Sequence, residues 1–227
     1  MHEQLVPFVE ALKQGRSQVV VFFGDSITFG SQIDPNRDES LAFPAQWLEM
    51  LRERIPNAPI EAHNRGVPGN RLEHALERLD RDVLALQPDL VVIEFGINDC
   101  WEGLELLHHF ETRLGDLVEA IRAGSQAVPV LLTANMMNYH TSNEARAMAW
   151  FARRTAQVQN DGWTDAYMEG VRRVAARLNV PLADGYARWQ QARASGLDTD
   201  TLLANKANHP TREGHRLLAL ALLELVA

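Results

Sequence analysis

Apolar residues follow two alternating rhythms along this chain: short unbroken runs, and longer stretches with apolar steps of three and four. Val19-Val20-Val21-Phe22-Phe23, ended by Gly24, is β-branched and aromatic throughout, which predicts a strand buried on both faces. Leu90–Phe95 and Val128–Thr133 read the same way, and Pro59–His63 and Val180–Ala183 as shorter strands. Helical spacing covers 3–14, 42–54, 70–86, 104–123, 165–178, 186–194 and 211–226. The clearest is 70–86, where Leu72, Leu76, Leu79, Val83 and Leu86 form one stripe and Pro88 ends the element. Residues 134–162, rich in Asn, Met, Arg and Gln, read as a loop followed by an irregular helix, and 196–210 as a loop. Strands alternating with helices predict a five-stranded parallel sheet in a three-layer α/β/α sandwich. The expectation is one domain spanning 1–227, with functional groups at the carboxyl ends of the strands.

Composition narrows the classes of partner. The 227 residues are 46% hydrophobic and 23% charged, with a net charge of −8. That balance suits a globular protein and lacks the basic footprint of a nucleic-acid binder, so no nucleic-acid partner is expected. It also opposes adsorption to anionic membrane surfaces, and no apolar stretch reaches the length of a span. The single cysteine, Cys100, rules out an intrachain disulfide and a cysteine-based zinc or iron–sulfur site. The start lacks a basic segment followed by an apolar one, so the expected location is cytoplasmic.

Four segments at predicted strand ends and in the last loop carry candidate chemistry. They are Gly24-Asp25-Ser26, Asn64-Arg65-Gly66, Gly96-Ile97-Asn98-Asp99 and Asn208-His209-Pro210. Each alone is an ordinary turn. Together they are the parts for nucleophilic acyl transfer. Ser26 supplies a hydroxyl and a backbone N–H at a strand-to-helix turn. Gly66 lets a backbone N–H approach an oxyanion with no Cβ in the way. Asn98 adds a side-chain donor, and His209 a base that takes the serine proton and returns it to the leaving alcohol. Asp25 and Asp99 read as caps of turn amides.

These segments, in this order, resemble those of the SGNH hydrolases, the GDSL-type esterases and lipases, over residues 19–226. The resemblance implies a flavodoxin-like fold with a shallow site, no cofactor and no metal. It implies Ser26 as nucleophile, His209 as base, and an oxyanion hole of Ser26, Gly66 and Asn98. One position departs from the pattern: the Asp usual three residues before the histidine is Lys206 here, and an ammonium has no acceptor for the imidazole. Three readings stay open. A neutral acceptor holds His209, either the Asn205 side chain or a backbone carbonyl near Lys206; Asp198 or Asp200 folds back to do so; or the protein binds without catalysing.

The function expected is hydrolysis of carboxylic esters with short acyl groups, on a small-molecule or oligosaccharide substrate such as an acetylated carbohydrate. The alternatives are an acyltransferase or thioesterase on the same residues, or a non-catalytic carbohydrate-binding descendant. Trp101 and Arg65 are candidate substrate contacts, Trp101 for a sugar ring or acyl chain and Arg65 for an anionic group. Cys100 reads as a buried thiol and His215 as a helix residue packing near the last loop. A flavin or nucleotide site is disfavoured, because Gly24–Gly30 lacks a glycine-rich phosphate pattern.

Overall fold

The computed structural model describes residues 1–33, 37–141 and 149–226. In chain order the elements are α1 (Val6–Lys13), β1 (Gln18–Gly24), α2 (Ser26–Phe29), α3 (Phe43–Arg54), β2 (Ile60–Gly66), α4 (Leu72–Asp82), β3 (Leu90–Glu94) and α5 (Leu107–Gly124). They continue with β4 (Val128–Leu132), α6 (Ala149–Asn160), α7 (Trp163–Leu178), β5 (Leu182–Ala183), α8 (Gly185–Ala194) and α9 (Arg212–Leu225). The five strands form one parallel sheet in the order β2-β1-β3-β4-β5. Helices pack on one another in two groups: α3, α9 and α8, and α4, α5, α7 and α6. This is the α/β architecture that the alternating rhythm predicts.

The unbroken apolar runs sit at the sheet centre. Val20–Phe23 and Leu90–Ile93 are buried, and Phe22 packs edge-on against both Phe43 and Trp47 of α3. Edge strand β2 is largely accessible, which explains its weaker apolar signal. Several boundaries differ from the sequence reading, among them three at strand and helix ends. β2 runs on to Gly66, because pairing with β1 persists to Gly24↔Gly66. The helix predicted over 70–86 ends at Asp82 and a 3₁₀ turn follows at Leu84–Leu86. β5 keeps only two residues, paired with Leu131 and Leu132. The irregular segment 134–162 does contain a helix, α6; its middle, 142–148, lies outside the described residues.

The chain leaves β1 for the β2 edge and then crosses back to β3, so the crevice between the ends of β1 and β3 is the topological switch point of the sheet. The segments that follow β1, β2 and β3 therefore meet at one place. Among the described residues no helix is long and apolar enough to cross a membrane.

Candidate active site

Ser26 is the first residue of α2, directly after β1. The turn is tight because Gly24 has no side chain: a Cβ there would lie 2.0 Å from Thr28 Oγ1 and 2.7 Å from the Glu94 carbonyl oxygen. Asp25 caps the short helix, its Oδ1 accepting from Ile27 N at 2.8 Å. Ser26 is 4% exposed. Its N–H stands at the helix start, where no intrahelical acceptor exists. Its Oγ has no hydrogen-bond partner among the described residues.

His209 lies in the loop before α9. Its Nδ1 is 2.8 Å from the Gln32 carbonyl oxygen. A carbonyl only accepts, so Nδ1 carries the hydrogen of this bond and Nε2 is left as the basic nitrogen. The Gln32 side chain donates from Nε2 to the Pro210 carbonyl at 3.1 Å. Gln32 is tied to the turn between β1 and α2 through its neighbour, since Ser31 N donates to Ser26 O at 3.0 Å. The loops bearing Ser26 and His209 are thus fastened to each other.

The three residues expected to orient His209 have other employment. Asn205 Oδ1 accepts the main-chain N–H groups of Ala207, Asn208 and His209, at 3.1, 2.9 and 2.9 Å. It shapes the loop rather than holding the imidazole. Asp198 caps a 3₁₀ turn through Asp200 N, and Asp200 accepts from Tyr139 N and His140 N. The carbonyl on Nδ1 comes from the segment after α2, not from the vicinity of Lys206. Lys206 itself is exposed and holds φ +58°.

Gly66 also differs from the expectation of a free oxyanion donor. Its N–H donates to Asn64 Oδ1 at 3.0 Å, and a Cβ would lie 2.2 Å from Phe29 N. Gly66 is the last residue of β2 and lets the sheet edge press against α2. Three residues on, Gly69 is exposed at φ +75° with open space where a Cβ would be, and its N–H has no acceptor among the described residues. The Pro68-Gly69 turn pair was the sequence signal for it. Asn98 bridges two of the converging loops, its Nδ2 donating to Asp25 Oδ2 at 3.0 Å and to the Asn70 carbonyl at 2.9 Å.

Three carboxyl groups are buried below this crevice. Burial, followed by the charge of Glu94, raises Asp25 well above the usual carboxylate range. Burial raises Glu94 to about 7 and Asp99 to about 6. Glu94 accepts from Thr28 Oγ1 at 2.8 Å, and Asp99 Oδ1 accepts from Leu72 N at 2.9 Å, capping α4. Cys100 is buried against the Ile97 carbonyl and its thiol is pushed up by burial, which leaves it inert as a nucleophile.

Trp101 is half-buried beside Phe151, with ring centroids 5.2 Å apart, and near Trp150 at 6.3 Å. Trp150 is 68% exposed. Arg65 lines a groove with Pro44, Ala45 and Leu48 at the outer edge of β2, whose lining does not include Trp101. Among the described residues no three His, Cys, Asp or Glu side chains are grouped to hold a metal ion.

Comparison with known proteins adds a second line of observation. The model of the GDSL-like Lipase/Acylhydrolase family matches residues 22–217. An acetylxylan esterase from Geobacillus stearothermophilus is 28% identical over 226 residues, covering 93% of this chain and 95% of the relative. A Bacillus subtilis (strain 168) protein named uncharacterized lipoprotein YqeF is 29% identical over 230 residues, with 94% and 92% covered. The crystal structure of Axe2, an acetylxylan esterase from the same Geobacillus species, superposes with a TM-score of 0.70 at 24% identity, over 92% of this chain and 94% of that one. LAE5, an alpha/beta hydrolase enzyme from the metagenome of Lake Arreo, Spain, gives 0.71 at 23% over the same shares. At these identities the structural match speaks for the fold.

Proposed function

This chain belongs to the GDSL-like lipase/acylhydrolase family and is an ester-hydrolysing serine hydrolase, and on that premise we propose that it removes short acyl groups, acetyl foremost, from hydroxyls of a carbohydrate. Ser26 is the nucleophile and His209 the base. The observation that carries this reading is the 2.8 Å contact of His209 Nδ1 with the Gln32 carbonyl, which reserves Nε2 for the serine proton.

In the proposed reaction Ser26 Oγ bonds to the acyl carbon as its proton passes to His209 Nε2. The carbonyl oxygen becomes an oxyanion held by the N–H groups of Ser26 and Gly69 and by Asn98. One Asn98 N–H stays on the Asn70 carbonyl. The other leaves Asp25 Oδ2 for the oxyanion, an exchange eased when Asp25 holds a proton and accepts weakly. The C–O bond to the alcohol then breaks, and the alcohol departs with the proton from His209. Water, deprotonated by His209, attacks the acyl-enzyme; the free acid leaves and Ser26 regains its proton.

The alcohol side of the substrate is assigned to Trp101, three residues beyond Asn98, whose indole offers a flat apolar face to a sugar ring. The name of the Geobacillus relative supports an acetylated sugar. Arg65 has no part in this reading, since it lines the outer groove of β2.

The test is hydrolysis of p-nitrophenyl acetate and of acetylated xylooligosaccharides by the wild type, Ser26→Ala and His209→Ala. The expected result is turnover of both esters by the wild type and loss by at least about a thousandfold in each variant. Turnover retained in Ser26→Ala refutes the nucleophile, and a wild type that cleaves only the aryl ester refutes the carbohydrate assignment.

A further inference from the structure

Arg78 lies on α4 but does not behave as a surface arginine. It is 7% exposed, and its guanidinium plane lies over the Phe23 ring, 4.3 Å from the centroid. Nη2 donates to the Gly24 carbonyl at 2.8 Å, Nη1 to the Arg65 carbonyl at 2.9 Å, and Nε to Asn70 Oδ1 at 2.8 Å. Nη1 also meets Asp82 Oδ2 at 3.0 Å, one helical turn along. A buried cation is costly unless its donors are satisfied. Here three of its four acceptors belong to the ends of β1 and β2 and to the turn beyond β2.

Those acceptors are not arbitrary pieces of backbone. Gly24 precedes Ser26 by two residues. Asn70 directly follows Gly69, and its carbonyl receives the Asn98 amide at 2.9 Å. The planar fork therefore fixes, at one point, the spacing between the nucleophile turn and the loop that closes the oxyanion site. We propose that Arg78 is a positioning residue for ester hydrolysis, holding the β1 and β2 loops in register so that the Ser26 N–H, the Gly69 N–H and the Asn98 amide converge. This rests on the reading of Ser26 as nucleophile. Arg78 touches no substrate and works through Gly24 and Asn70. Lysine cannot replace it, because a single ammonium on a flexible stem does not reproduce a rigid fork reaching several acceptors.

The experiment measures p-nitrophenyl acetate kinetics and melting for Arg78→Lys, Asn70→Ala and the double variant, beside Ser26→Ala. Asn70→Ala removes one acceptor of the fork and keeps the backbone carbonyl that receives Asn98. For Arg78→Lys the expected kcat is roughly 10–100-fold lower with KM within about twofold, the pattern of lost alignment rather than lost binding. Asn70→Ala falls in the same direction by a smaller factor, and the double variant is no slower than Arg78→Lys alone, because both changes cut one connection. A folded Arg78→Lys with kcat within about twofold of wild type, or strictly multiplicative losses in the double variant, overturns the proposal. Should Arg78→Lys fail to fold, Asn70→Ala decides alone: a kcat loss at constant KM supports the role and an unchanged kcat refutes it. Turnover retained in Ser26→Ala sinks the nucleophile assignment itself; turnover lost there with wild-type kcat in Arg78→Lys sinks only the role of Arg78.

Discussion

His209 meets Gln32 across 177 positions of sequence, its Nδ1–H donating to the Gln32 carbonyl at 2.8 Å, while Gln32 Nε2 donates to the carbonyl of the next residue, Pro210. The first bond sets the tautomer and the second sets how far the histidine loop stands from the Ser26 turn. Gln32→Ala removes only the second. A hydrogen bond of this kind is worth about 1 kcal/mol, so kcat is expected to fall by roughly fivefold with KM little changed. Steady-state kinetics against p-nitrophenyl acetate check this, and an unchanged kcat would show that the carbonyl alone holds His209.

Asn205 gathers three consecutive amides on one oxygen, and its Nδ2 donates to Asn208 Oδ1 at 2.9 Å, so it serves the loop mainly as an acceptor and also as a donor. Asn205→Asp keeps the acceptor but loses the donor to Asn208 Oδ1, and is expected to retain more activity and stability than Asn205→Ala. Asn205→Ala leaves three loop N–H groups without their partner and is expected to cost about 1–3 kcal/mol and most of the turnover. Equal activity in the two variants, measured with their melting temperatures, would remove the loop-shaping role.

Lys206 occupies the left-handed region at φ +58° and is exposed. A side chain with a Cβ is strained there and glycine is not. Lys206→Gly is expected to leave kcat unchanged and to raise stability by about 0.5–1 kcal/mol. Denaturant titration gives the stability, and a large kcat loss would mean that the ammonium serves the reaction.

The sheet was legible where side chains alone decide burial. Val19–Phe23 and Leu90–Ile93 announce central strands because both faces must be apolar, and the Leu72–Leu79 stripe announces the inner face of α4. Candidate site residues stand out where a residue type is itself the chemistry, as with Ser26, Asn98 and His209. They do not stand out where backbone does the work. Nothing in the identity of Gln32 signals that its carbonyl faces His209. The two glycines of Gly66-Val67-Pro68-Gly69 could be told apart only by the end of β2, and a strand read as ending at His63 frees Gly66 for a role that its Asn64 bond denies. Arg78 sits beside Leu79 on what reads as a polar helix face. Its burial comes from the strand ends closing over it, a tertiary effect with no local signature.

The buried carboxyls tilt stability with pH. The folded-state pKa of Glu94 is raised from 4.5 to about 7, chiefly by burial. The folded state therefore binds this proton more tightly than the unfolded chain, so the contribution is full below 4.5 and is lost as pH rises through about 7. Asp99 acts with the same sign between 3.8 and about 6. Glu94→Gln, which can still accept from Thr28, is expected to melt several degrees above wild type at pH 8 and level with it near pH 4. Parallel melting curves of the two proteins across that range would contradict the assignment.

His215 pulls the other way. It is fully buried near Phe43, with ring centroids 6.4 Å apart, and neither ring nitrogen has a partner among the described residues. Burial, and then the neighbouring His209, lowers its pKa from 6.5 to about 3. As pH falls below 6.5 the unfolded chain takes up the proton first, so stability is lost progressively down to about 3. At pH 5 that loss is roughly 2 kcal/mol relative to neutral pH. His215→Leu removes the titration and two unpartnered polar atoms at similar volume. Its stability at neutral pH is expected to equal or exceed that of the wild type, and its loss between pH 7.5 and 5 to be smaller by about that amount. Urea titrations at the two pH values measure both quantities. An equal acid loss in the two proteins would place the destabilising protonation at another group.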